Sequence, residues 1–124
     1  MNDAICSENR RFAETAASLL KEYSSKLEPI QKHMRQLRDE VEKASFGSPE
    51  FHVVQQEYFA LQQSFHTLGA SLRTLAQRVS QFLEHADVDD VSRLELEVRL
   101  HELEGKLHQT EMIVNVGLSA HASA

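Results

Sequence analysis

The sequence predicts an all-α fold, an elongated antiparallel helical hairpin plus a third helix, packed as a three-helix, coiled-coil-like bundle. Glycine and proline are scarce, four and two in 124 residues, while Leu, Glu, Gln, Ala and Arg abound, a mixture with high helix propensity and few turn formers. Apolar residues recur at steps of three and four over long stretches. Only residues 46–49 and 87–90 carry helix-ending and helix-starting chemistry. We therefore expect a single helical domain over residues 1–124, with helices at about 8–45, 49–86 and 90–116 and a frayed tail at 117–124.

The first helix carries Phe12, Ala16, Leu19, Tyr23, Leu27, Ile30, Met34, Leu37, Val41 and Ala44. Two consecutive steps of four flank Tyr23, a stutter in the heptad, and Pro29 follows closely. Together they predict a bend or a local break near residues 27–30. At the first punctuation, Gly47 suits a left-handed helix end, Ser48 an N-cap and Pro49 a first helical position.

The second helix repeats Phe51, Val54, Tyr58, Leu61, Phe65, Leu68, Leu72, Leu75, Val79, Phe82 and Ala86 without interruption. At 1.5 Å per residue it spans on the order of 57 Å, so the domain should be a rod. The short link makes the two helices antiparallel, and their stripes are expected to form a shared core. Only Glu50, Glu57, Arg73, Arg78 and Glu84 are charged in this segment, which predicts an enclosed middle helix crossed by the third helix, a second copy or another protein.

The third segment opens with Asp87, Asp89 and Asp90, whose carboxylates suit the start of a helix near Val91. Residues 94–100 alternate apolar and polar, as a half-buried strand would. The Leu and Glu content, the acidic start and the lack of turns up to His108 favour a helix instead. On that helix Val91, Leu94 and Val98 form one stripe, and Leu96, Leu100, Leu103 and Leu107 form another nearly opposite, extended by Thr110 and Val114. A single hairpin covers one face only. Both stripes, together with Phe59, which lies off the seam of the second helix, are therefore the candidate interface residues.

A net charge of −6 argues against nucleic-acid binding, which calls for an excess of Lys and Arg. Cys6 is the single cysteine, so an internal disulfide is excluded and a cytoplasmic setting is the expectation. No apolar run reaches signal-peptide or membrane-span length, so no membrane insertion is expected.

No catalytic apparatus, cofactor site or small-molecule substrate site is expected. Glu97, His101 and Glu104 share a helix face with His108, but structural zinc draws ligands from more than one element. His101-Glu102-Leu103-Glu104-Gly105 begins like a zincin motif, yet Gly105 stands where the second histidine belongs. Asp87, Asp89 and Asp90 lack the glycine and the final Glu of a calcium loop, since Val98 fills that last position. Cys6 has no base nearby in sequence, and the four glycines are too scattered for a phosphate loop. No Glu-x-x-His pair is present for a di-metal bundle enzyme. Lys32, Arg35 and Arg38 form a stripe that Glu28, Asp39 and Glu42 neutralise.

A hairpin whose turn contains an aromatic and Gly47, followed by Val54-Gln55-Gln56-Glu57-Tyr58, resembles the small WXG100 proteins of type VII secretion over roughly residues 16–86. That resemblance implies a small exported or chaperone-bound helical protein. The chain departs from the pattern in having no Trp, with Ser45 two before Gly47, and in adding a third helix, so it is not assigned to that family. The expected function is a non-enzymatic coiled-coil interaction or scaffold subunit that assembles with itself or with helical partner proteins.

Overall fold

The protein, a computed structural model, is described for the backbone of residues 2–123 and the side chains of residues 7–115. Three helices, α1 (Asn2–Lys43), α2 (Pro49–His85) and α3 (Asp90–Ser123), pack side by side, with no strand among the described residues. At 1.5 Å per residue they run to about 63, 55 and 51 Å. The helix expected to end near 116 continues to Ser123, and the side chains of the tail, like that of Cys6, lie outside the described residues.

Both connections follow from local chemistry. Gly47 takes φ 80°, where a side chain would be strained, and Ser48 adopts an extended backbone. The Ser48 hydroxyl accepts from the Phe51 amide at 3.1 Å, and Pro49 opens α2. At the second turn Asp89 caps α3 by accepting from the Ser92 amide at 3.1 Å. Arg93 donates to the carbonyls of Leu83 and Ala86, which closes the end of α2. The Asn9 side chain donates to the Asp87 carbonyl at 2.9 Å, and Arg10 lies 3.6 Å from Asp89. The turn is thus fastened to the start of α1.

Cross-helix pairs fix the topology. Asn9 meets Asp87, Glu28 meets Lys106 and Gln31 meets Thr110, at separations of 78, 78 and 79 residues. A constant offset means that α1 and α3 run parallel in one register, with α2 antiparallel to both. Gln31 and Thr110 are the buried polar pair of this seam: Gln31 Nε2 donates to Thr110 Oγ1 at 2.9 Å, and that hydroxyl donates to the Lys106 carbonyl at 2.6 Å. A polar pair that is satisfied in one alignment only disfavours every slipped register.

Three expectations are corrected. The dominant seam is between α1 and α3, not between the two arms of the hairpin. α1 buries the small Ala13, Ala16 and Ala17, whereas α2 buries the bulkier Phe51, Tyr58 and Phe65, and small side chains permit closer helix approach. Nor is α2 enclosed. It buries one face, through Phe51, Tyr58, Phe65, Gly69, Leu72, Ala76 and Val79, and leaves a face of Gln, Ser, Thr and His in solvent. Uncharged polar side chains account for its low charge without a covering partner.

Finally, α1 is continuous through Pro29, with no break near residues 27–30. Leu27 and Gln31, on either side of the proline, are both buried, so packing carries the helix across the missing hydrogen bond. The stutter also vanishes. The buried positions Ala13, Ala17, Leu20, Ser24, Leu27, Gln31 and Met34 alternate steps of four and three, while Phe12 and Leu19 are exposed and Tyr23 and Ile30 half-buried at the edge. Phe12 packs against Phe82 of α2 in a tilted ring contact, ring centres 4.4 Å apart.

Candidate interaction face

α3 has two apolar faces because its leucines fall in two phases of the helical turn. Leu96, Leu103, Leu107, Thr110 and Val114 lie within a narrow arc, and all are buried against the other helices. Leu100 and Ile113 flank them, half-buried and packed on the same core. Tyr58 of α2 reaches this arc and donates its hydroxyl to the Val114 carbonyl at 2.6 Å.

Leu94 stands only two residues from Leu96, but two residues turn a helix by about 200°, which sends it to the opposite side. There Val91 is 76% exposed, Leu94 63% and Val98 46%, whereas Leu96 and Leu103 are 0% exposed. The outward series continues at heptad spacing through His101, Gly105 and His108 to the exposed Met112. Nothing lies within 4 Å of where a Cβ on Gly105 would be.

The candidate interface residues therefore divide. Val91, Leu94 and Val98 are a free surface. Leu96, Leu103 and Leu107, with Leu100 beside them, are not, because the parallel pairing with α1 turns them into the fold's own core. Phe59 is exposed on α2. It lies on the order of 40 Å along the rod from the α2–α3 turn beside which Val91 sits, so the two do not form one patch.

Charge is sorted around the same helix. Arg93 is engaged with the end of α2, Lys106 pairs with Glu28 at 2.9 Å, and Arg99 pairs with Glu102 at 3.2 Å. The exposed stripe is flanked by Glu95 and Glu102 on one side and by Glu97, Glu104 and Glu111 on the other. Glu111 reaches α2 in an ion pair with Arg73. Glu95, Glu97 and Glu104 have no ion pair among the described residues.

At the cap, the Asp89 carboxyl titrates below its usual value, chiefly because the Ser92 side chain and then the Ser92 backbone hydrogen-bond its charged form, with a smaller pull from Arg10. A groove of about 590 Å³ between α2 and α3 is lined by Arg73, Ser80, Glu104, His108 and Glu111. Among the described residues, no group of three or more His, Cys, Asp or Glu is placed to hold a metal ion, and no helix is long and apolar enough to cross a membrane. Comparison with family models, with curated proteins and with solved structures finds no match to this chain.

Proposed function

We propose that this protein is a non-enzymatic interaction subunit, and that the outward stripe of α3 receives a helix from a second copy or from another protein. One observation supports it most: Val91, Leu94 and Val98 stand exposed at heptad spacing on a helix whose other face is fully used by the fold. Scattered apolar residues on a surface are ordinary, but β-branched, Leu, β-branched at steps of three and four is the pattern of one heptad of a coiled-coil seam. The single cysteine suits a cytoplasmic setting for such a subunit.

The test is the change V91S/L94S/V98S. Because these side chains contribute little to the core, the variant keeps its helical circular dichroism. Its association, read as light-scattering mass or as capture of a partner, is lost. Unchanged association would remove this stripe as the docking face.

A further inference from the structure

We infer that the occupant of the α3 stripe is an amphipathic helix whose apolar seam is bordered by Lys or Arg, and not a second copy of this chain. The inference rests on the interaction-subunit reading above and specifies the chemistry of the partner. It follows from how charge is distributed around α3.

Taking Val91 and Val98 as the first position of a heptad and Leu94 as the fourth, the flanking positions are Glu95, Glu102 and Gln109 on one side and Glu97, Glu104 and Glu111 on the other. In a coiled coil these flanks face the flanks of the partner helix and set partner choice. A parallel pair of α3 helices would bring Glu97 against Glu102 of its twin. An antiparallel pair brings like flank against like flank, which is again Glu against Glu. Either arrangement sets acidic flank against acidic flank, with Gln109 the one uncharged flanking position.

The cations nearby relieve only part of this: Arg99 pairs with Glu102 and Arg73 with Glu111, while Arg93 and Lys106 are engaged with α2 and α1. Glu95, Glu97 and Glu104 are left exposed and without a cation among the described residues. A Lys- or Arg-flanked helix supplies those cations at the spacing the seam requires, and the same acidic rim rejects a Glu-flanked competitor.

The experiment uses the full chain and two synthetic helical peptides with identical Ile and Leu seams, one with Lys and one with Glu at both flanks, titrated by fluorescence anisotropy. The Lys-flanked peptide should bind tighter by roughly tenfold or more, the gap narrowing as salt is raised. The variant E95K/E97K/E104K, with helicity checked by circular dichroism, should reverse the preference, and V91S/L94S/V98S should bind neither peptide.

Equal binding of the two peptides overturns the proposal. So does binding of the Lys peptide that survives V91S/L94S/V98S, which would be diffuse attraction to an acidic protein. If neither peptide binds and the chain is instead a dimer that V91S/L94S/V98S dissolves, the basic partner is wrong while the docking stripe stands. If neither peptide binds and V91S/L94S/V98S changes no association at all, both fail.

Discussion

The two faces of α3 carry the same kinds of apolar side chain in opposite surroundings. On the inner face, Leu96, Leu103 and Leu107 are sealed against α1 and α2, and the polar Thr110 among them is satisfied by Gln31 and by the Lys106 carbonyl. On the outer face, Val91, Leu94 and Val98 meet solvent between two rows of glutamates. Apolar content alone does not separate them, and the helix has almost no net amphipathic character because the two stripes oppose each other. What separates them is the partner each has: α1, held in one register, covers only one side.

That contrast can be broken most forcefully from the inside. Leu103→Asp places an unpaired charge in a fully buried site and should cost at least about 4 kcal/mol, abolishing cooperative unfolding in urea along with much of the helical signal. A variant that stayed folded and merely lost association would move Leu103 to the outer face.

A smaller effect of opposite sign is expected at Gly105, which sits in the outward series with open space around it. Gly105→Ala should raise stability by about 0.5–1 kcal/mol, read as a higher urea midpoint. A loss would mean that something already packs on that face.

The smallest effect lies at the cap, which touches neither stripe. Since the carboxyl of Asp89 titrates below its ordinary 3.8, its contribution is complete above that value and is lost as pH falls through the lowered one. Asp89→Asn should therefore flatten the acid limb of the stability curve slightly and leave neutral-pH association untouched.

Much of this was legible in the residues. Gly47, Ser48 and Pro49 specified one turn and Asp89 the other, because caps and left-handed turns depend on a few neighbouring atoms. The two stripes of α3 could also be read from spacing. Which of them would be covered could not, since that depends on how α3 aligns with a helix 79 residues away.

The seam of α1 is hidden from its sequence for a related reason. Its inner positions include Ser24 and Gln31, so a search for apolar residues passes over them and settles on the neighbouring Leu19, Tyr23 and Ile30, which lie at the edge. Ser24 is buried with no hydrogen-bond partner for its hydroxyl, and Gln31 only makes sense beside Thr110. Likewise the buried Ala13, Ala16 and Ala17 are weak as hydrophobic signals.

α3 has one face for the fold and one left over, and Leu96→Ser set beside Leu94→Ser in urea unfolding, at a concentration where the chain is monomeric, tells the two apart. The first should lose about 2–5 kcal/mol, as large-to-small changes in a packed core do, and the second should stay within about 0.5 kcal/mol of the parent. Equal losses at the two positions would place Leu94 inside the same core as Leu96 and leave α3 with no spare face.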